Sequence, residues 1–211
     1  MLACANLLAA PAKAGAYEDF FQGIKQDNGR LITHLLQKGI DPNSVDPSGV
    51  PGLIVAVKDT SYEVATVLIN WPGTRVEARN AADESPLMLA SLNGALTLCQ
   101  LLISKGAHVN KTGWTPLHYA ATHGHLEVMN LLLEAHAYID AESPNGTTPL
   151  MMAAKYGPGQ AVNLLLDAGA DSTLRNAMNL TALDFAKRAD RVDAIDVLEA
   201  VARTLQPKGS W

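Results

Sequence analysis

The sequence predicts an all-α fold, a solenoid in which short helix-turn-helix units stack one after another. A six-residue motif recurs along the 211-residue chain at spacings close to 33 residues. Each copy is followed by a second apolar block with helical spacing. Aromatic residues make up 5% of the chain, and a composition low in aromatics and rich in Ala, Leu and Gly favours short helices joined by tight turns.

The motif is clearest at Thr115–Ala120 (TPLHYA) and returns 33 residues later at Thr148–Ala153 (TPLMMA) and again at Thr181–Ala186 (TALDFA). Earlier copies begin at Ser85 and, more weakly, at Pro51. A Thr or Ser before Pro predicts a helix start, because the hydroxyl oxygen accepts a hydrogen bond from a free backbone N–H and Pro fits the first turn. The motif therefore marks the first helix of each unit.

Glycine follows the first helix in three units, at Gly94, Gly124 and Gly157. A left-handed turn is easiest for a residue without a side chain, so we expect left-handed backbone at all three positions. One such unit cannot bury both of its helices alone, and stacking makes the apolar core continuous.

Two segments, Thr115–Val128 (TPLHYAATHGHLEV) and Leu164–Asp171 (LLLDAGAD), resemble the ankyrin-repeat family. The resemblance covers residues 16 to 205 and implies short β-hairpin or turn connections between the units. It also implies that His118 of the motif and His125 of the Gly-His pair hydrogen-bond loops between repeats.

We divide the chain into a truncated signal peptide, one ankyrin-repeat domain over residues 15–205 and a loose tail. The segments are 1–14 (signal peptide), 16–45 (N-terminal cap unit), 46–79, 80–109, 110–142 and 143–175 (repeats), 176–205 (C-terminal cap unit) and 206–211 (tail).

Three departures from the repeat pattern have structural consequences. The junction at Asn110–Trp114 is three residues short, which predicts a stunted hairpin. Trp71–Gly73 adds one residue after the second helix of its unit. Gly157–Gly159 (GPG) stands where the family has Gly-His-Leu, and the missing apolar side chain predicts local slack or a small hollow at the start of the next helix.

Composition excludes several classes of function. The chain is 48% hydrophobic and carries a net charge of −5 without a basic block, which disfavours nucleic acid and anionic membranes as partners. No apolar run reaches the length of about 18 residues that a membrane-spanning helix needs.

The sequence contains no recognisable catalytic motif, so we expect no enzyme activity and no cofactor. His118, His123 and His125 are spaced by five and two residues, which does not place them on one helical face, so we expect no metal site. Cys99 lies in an apolar helical block and is predicted to be a buried core thiol.

The N-terminus has the pattern of a processing segment. An apolar run at Leu2–Ala10 is followed by Ala12-Lys13-Ala14, the small-x-small pattern of a signal peptidase site. The positive charges that normally open such a segment are missing, so we interpret it as a truncated signal peptide and expect a periplasmic or secreted bacterial protein. The alternative is a frayed N-terminal helix turn, in which case the protein would be cytoplasmic.

The resemblance implies that partners dock on the hairpin tips and the outer turn of each first helix. Trp114 is the strongest candidate anchor, because Trp buries a large area at little entropic cost; the alternative is that it packs over the shortened hairpin. The candidate partner-binding residues are Lys58, Asp59, Glu84, Leu92, Asn93, Lys111, Trp114, Thr122, His123, Asn145, Lys155, Tyr156 and Arg188.

We therefore expect a monomeric, non-catalytic module that binds another protein through its concave face as a scaffold or protector. Two alternatives stay open. The first is a one-to-one inhibitor of a toxin or enzyme, as in an immunity protein, and the second is a host-directed effector.

Overall fold

A computed structural model describes residues 9–205, with side chains from residue 15 to residue 204. Cys4, the start of the predicted signal peptide and the tail after Leu205 lie outside the described residues. The described part of the chain forms twelve α-helices, and its one isolated β-bridge joins Val45 to Pro51. No helix among these residues is both long enough and apolar enough to cross a membrane.

The helices follow one another in pairs, as the repeated motif predicts. They are α1 (Ala9–Lys25), α2 (Gly29–Gln37), α3 (Gly52–Lys58), α4 (Tyr62–Asn70), α5 (Pro86–Leu92), α6 (Leu96–Ser104), α7 (Pro116–His123), α8 (Leu126–Glu134), α9 (Pro149–Tyr156), α10 (Gly159–Asp167), α11 (Ala182–Arg188) and α12 (Val192–Leu205). Helix α1 runs through the predicted cleavage point after Ala14.

The chain divides into two compact units. The first holds the described residues up to Pro86 together with Ser104–Ala107, and the second holds Leu87–Ile103 and the described residues from His108 onward. In the first unit α1 packs on α2 and α3, and α2 and α3 both pack on α4. In the second unit α9 lies between α7 and α11, so consecutive first helices are neighbours.

Apolar side chains at the motif positions form the core of each unit. Phe20, Ile24 and Leu53 are fully or almost fully buried in the first unit, and Leu117 and Leu150 are fully buried in the second. Each such side chain contributes about 1.5–3 kcal/mol relative to an exposed one.

The helix starts follow the predicted capping chemistry. The Thr148 hydroxyl accepts a hydrogen bond from the Met151 N–H at 3.4 Å, and Pro149 occupies the first turn of α9. Thr181 and Asp184 form a reciprocal capping box at α11, in which the Thr181 N–H donates to the Asp184 carboxylate at 2.9 Å. These local bonds fix where α9 and α11 begin, whereas α3 starts after Pro51 without a side-chain capping bond.

The prediction of left-handed glycines is confirmed at two positions and wrong at the third. Gly94 and Gly124 both have φ of +66°. Gly157 instead has φ −81° and ψ 168°, because Pro158 forces the residue before it into extended backbone. Glycine is still needed there, since a Cβ on Gly157 would lie 2.7 Å from the Ala121 carbonyl oxygen.

The hollow predicted at Gly159 is also wrong, because a side chain from the next repeat occupies the space. The Asp193 carboxylate accepts a hydrogen bond from the Gly159 N–H at 2.7 Å. A Cβ on Gly159 would lie 3.3 Å from the Asp193 Cβ. The small residue makes room for a carboxylate at the start of α10, which is favourable at a helix N-terminus.

The predicted length changes between repeats are confirmed. Residues 105–115 connect α6 to α7, which is three residues fewer than the connections at 38–51, 135–148 and 168–181. Residues 71–85, between α4 and α5, include the extra residue. The short connection places Trp114 directly before Thr115, the residue that precedes α7.

Candidate functional site

The second unit contains an open groove of about 250 Å³ along the first helices of three consecutive repeats. Apolar atoms form most of its surface. Leu92 comes from α5, Tyr119 and Thr122 come from α7, and Met152 comes from α9. Trp114 and His118 complete the lining.

Trp114 is half-buried and forms one wall of this groove. Its ring meets the His118 ring edge-on, with 5.1 Å between centroids and an angle of 76°. The indole therefore packs on the buried imidazole of its own repeat and also lines the groove, and its role as a partner-binding anchor stays a prediction. Such an amphipathic ring is well suited to burial by a partner.

His118 is fully buried and neutral, and it connects two repeats. Its Nδ1 accepts a hydrogen bond from the Thr115 N–H at 3.2 Å, and its Nε2–H donates to the Thr147 carbonyl at 2.9 Å. Burial lowers the pKa of His118 to about 4, against the hydrogen bond to Thr147, which raises it. The imidazole under Trp114 is thus uncharged at neutral pH.

His125 forms the second link between repeats that the family resemblance implies. Its Nε2–H donates to the Leu92 carbonyl at 2.9 Å. A Cβ on Gly94 would lie 2.5 Å from Nδ1 of His125, so the ring can take this place only beside a glycine. The exposed His123 ring stacks on His125 at 5.8 Å and is not part of the groove lining.

Two cations lie beyond the groove on the first helices α9 and α11. Lys155 is one helical turn after Met152, and its Nζ lies 4.7 Å from the Tyr156 ring centroid and 6.0 Å from that of Phe185. Arg188 occupies the position of Lys155 in the next repeat and is exposed. Tyr156 is 50% exposed.

The structure brings Leu92, Trp114 and Thr122 together in the groove and places the other predicted residues elsewhere. Asn145 is engaged within its turn, where its Oδ1 accepts a hydrogen bond from the Ser143 hydroxyl at 2.6 Å. Glu84 accepts one from the Asn80 amide at 2.7 Å. Of the remaining candidates, Lys58 and Asp59 lie at the end of α3 in the first unit, Asn93 is exposed directly after α5, and Lys111 is half-buried in the short connection.

Tyr119 and Met152 line the groove but were missing from the sequence-based set. Both occupy the fourth position after the Thr that precedes their helix, and the equivalent Phe185 is buried. Tyr119 is also one helical turn before Thr122, which was predicted. The i, i+3 relation on a helix was the signal that could have identified it.

The described residues contain no group of three His, Cys, Asp or Glu side chains close enough to hold a metal ion. Cys99 is fully buried, as predicted, with its Sγ 3.8 Å from the Ser91 hydroxyl. Burial raises the pKa of the Cys99 thiol to about 11. The thiol is therefore protonated at neutral pH and acts as a small core side chain.

Comparison with known families explains this arrangement. Sequence models described as ankyrin repeats in three copies match residues 20–112 and 53–143, and a model described as ankyrin repeats in many copies matches residues 137–186. The chain belongs to the ankyrin-repeat family. The all-α ankyrin-repeat fold class predicted from the sequence is thereby confirmed, as is the recognition on which it depended.

Two solved structures resemble this ankyrin-repeat protein over most of its length. One is an ankyrin repeat domain from Acinetobacter baumannii, with a TM-score of 0.74 and 28% sequence identity, covering 87% of this chain and 97% of that chain. The other is a chain in the complex of a predatory endopeptidase with an immunity protein from Bdellovibrio bacteriovorus, with a TM-score of 0.74 and 27% identity, covering 86% of this chain and 97% of that chain.

The curated relatives share a smaller part of their length. Ankyrin repeat and SAM domain-containing protein 6 from Rattus norvegicus is 31% identical over 111 residues, which are 51% of this chain and 12% of the relative. The chain thus spans between about a tenth and a fifth of the first curated relatives it matches. Ankyrin repeats generally mediate protein–protein interaction, and the fold is typically a non-catalytic module.

Proposed function

We propose that this protein is a non-catalytic binding module that holds a partner protein in the groove of its second unit. The observation that carries the proposal is an open apolar groove on three consecutive first helices, with the half-buried Trp114 as one wall. Burying Trp114 and Met152 under a partner removes apolar surface from water, which is the main favourable term in most protein associations.

The chemistry of the groove favours binding over catalysis. Both nitrogens of His118 are occupied by hydrogen bonds, and its pKa of about 4 leaves it a poor proton acceptor at neutral pH. The Thr122 hydroxyl donates to the His118 carbonyl at 2.8 Å and is held within the helix. These polar groups are held in hydrogen bonds within the repeats, so the apolar side chains of the groove are the ones available to contact a partner.

We place this module in the bacterial periplasm, where it would act as a scaffold or protector for a partner protein. The apolar run at Leu2–Ala10 and the Ala12-Lys13-Ala14 pattern support this periplasmic localisation. Fractionation of the source cells into cytosol and envelope tests it. Recovery of the protein in the cytosolic fraction would contradict the periplasmic assignment and leave the binding function standing.

A second candidate function is one-to-one inhibition of an enzyme, and one comparison favours it. The structural neighbour from Bdellovibrio bacteriovorus comes from a complex between an endopeptidase and an immunity protein. At 27% identity the neighbour supports this class of role without identifying the partner. A host-directed effector is the third alternative, and it predicts that the protein leaves the cell.

The test is affinity capture from extracts of the source organism, with the full chain as bait. We expect one partner in stoichiometric amount with the wild type and the partner's loss with Trp114→Ala. The matched control is Tyr138→Ala, because Tyr138 is 68% exposed and not in the groove lining. Equal capture by wild type and Trp114→Ala would contradict the assignment of the groove.

The same partner then distinguishes scaffold from inhibitor. Its activity would be measured while the purified ankyrin-repeat protein is added in increasing amounts. Complete loss of activity at one equivalent identifies an inhibitor, and unchanged activity in a stable complex identifies a scaffold or protector.

A further inference from the structure

Two second helices of the second unit differ in charge from the two first helices that follow the groove. The second helices α8 and α10 carry exposed acids, namely Glu127, Glu134 and Asp167. Two first helices carry cations, with Lys155 in the last turn of α9 and Lys187 and Arg188 in the last turn of α11. Lys187 is paired with Glu199 at 2.8 Å, which leaves Lys155 and Arg188. A protein with a net charge of −5 thus presents positive charge on the same layer as its apolar groove.

Lys155 is available to a partner. Among the residues that the structure describes it has no ion pair, and its ammonium group lies over the faces of Tyr156 and Phe185. A cation held over aromatic rings keeps its charge while its stem is fixed, so less entropy is lost when an anion binds.

Arg188 is the equivalent cation one repeat further. Its guanidinium lies in the field of Asp184, which is already engaged with the Thr181 N–H and hydroxyl at 2.9 Å and 2.8 Å. Both cations follow the groove in the order of the repeats, from α7 to α9 to α11.

We infer that the groove and these two cations form one binding track, whose occupant is an extended acidic segment of a partner protein that carries one large apolar side chain. This inference rests on the proposed function and adds the chemistry of the partner. The apolar side chain enters between Trp114 and Tyr119, and acidic side chains meet Lys155 and Arg188. Charge complementarity therefore fixes the direction of the segment along the repeats.

The repeat spacing gives the spacing of the acidic residues. Neighbouring packed helices lie about 8–10 Å apart, and an extended chain advances about 3.3 Å per residue. The first acidic residue should therefore lie about three positions from the apolar one, and the second about six positions from it, on the same side.

The test is selection of random linear peptides displayed on phage against the folded full chain. We expect the selected peptides to share one large apolar residue with Asp or Glu at these two spacings. Their affinity should fall by about tenfold or more on the double variant Lys155→Glu/Arg188→Glu and on Trp114→Ala. Added salt should weaken binding to the wild type.

The control is Lys105→Glu, which reverses an exposed charge at the C-terminal end of another helix and should leave affinity unchanged. Circular dichroism of each variant checks that it folds, and Lys155→Gln repeats the charge test with a milder change. Selected peptides without acidic residues, or affinities unaffected by charge reversal, would overturn the inference. Failure to select any linear peptide would overturn it as well.

The outcomes also separate this inference from the proposed function. A captured partner protein that is lost with Trp114→Ala and kept by Lys155→Glu/Arg188→Glu supports the binding groove and contradicts the acidic segment. A partner that is kept by every variant contradicts both.

Discussion

The α7–α8 repeat and the α9–α10 repeat share one sequence pattern and differ in how they are linked to their neighbours. In the first, His118 donates a hydrogen bond to the Thr147 carbonyl and His125 donates one to the Leu92 carbonyl. In the second, Met151 and Pro158 stand at those positions and offer no donor. The groove is centred on the repeat with the two histidine links, so its walls have the stronger polar support.

The connections before these helices differ in the same way. Asn110, before α7, donates to the His136 carbonyl at 2.7 Å and accepts from the Tyr138 N–H at 2.8 Å. Asp140, before α9, accepts from the Asp171 N–H at 3.1 Å and, as a carboxylate, has no proton to donate. Repeats can therefore stack with or without these hydrogen bonds. We infer that apolar packing is the contribution to stability that the α7–α8 and α9–α10 repeats share.

The largest expected effect is a loss of folding stability when this shared apolar packing is disrupted. Leu117 and Leu150 are both fully buried at the same motif position. Replacing either by Asp should destabilise the second unit by at least about 4 kcal/mol, because an unpaired carboxylate enters the core. Chemical unfolding followed by circular dichroism measures it, with the exposed Asn130→Asp as control. A much smaller loss for Leu150→Asp would show that the two repeats differ in packing as well.

The second-largest expected effect is the contribution of His118 to stability, which is recognised by its pH dependence. His118 has a pKa of about 4 in the folded protein against 6.5 as the ordinary value. The unfolded chain therefore binds a proton at a pH where the folded protein does not, and stability present above pH 6.5 is lost as the pH falls towards 4. The loss amounts to about 3 kcal/mol.

His118→Met places in α7 the residue that α9 uses and should remove this part of the pH dependence. At neutral pH the variant should be less stable by about 1–2 kcal/mol, since Thr115 and Thr147 lose a partner. Unfolding free energies of the wild type and His118→Met, measured across this pH range, test the prediction, and the exposed His123→Gln serves as control. An unchanged slope in His118→Met would contradict the role assigned to the buried imidazole.

The sequence was sufficient for the repeats because their signals are local. Thr148 and Thr181 cap helices through atoms three residues away, so a short motif marks the helix start. Two predictions were wrong where a residue outside the motif determines the local structure. Pro158 excludes the left-handed turn expected at Gly157, and the side chain of Asp193, 34 residues further along the chain, fills the space beside Gly159.

The groove was partly predictable for the same reason. Leu92, Trp114 and Thr122 were predicted because the family resemblance places partner contacts at the hairpin tips and in the outer turn of each first helix. Tyr119 and Met152 were missed because their motif position is also compatible with the core, and the equivalent Phe185 is in fact buried. Whether such a side chain faces a groove depends on the neighbouring repeat, which one repeat's sequence does not specify.

The smallest expected effect on stability comes from the connections before α7 and α9. It can be tested by exchanging Asp and Asn in either connection. Burial raises the pKa of Asp140, and the nearby Asp171 carboxylate adds to the rise. Asp140→Asn removes this charge and supplies an amide donor for the Gly169 carbonyl, which is equivalent to the His136 carbonyl that Asn110 contacts. We expect a gain in stability of about 1 kcal/mol at neutral pH. Asn110→Asp, the reverse change one repeat earlier, should cost a similar amount.

The pH dependence of that gain distinguishes its cause from a general effect of charge. A carboxyl whose pKa is raised on folding stabilises the folded state when protonated, and that contribution is lost as the pH rises through the folded pKa. The advantage of Asp140→Asn should therefore be largest at neutral pH and shrink in acid, where protonated Asp140 can itself donate to the carbonyl. A gain that stays constant across the pH range would mean that the charge of Asp140 is not its cause. A loss of stability would mean that the carboxylate stabilises this connection.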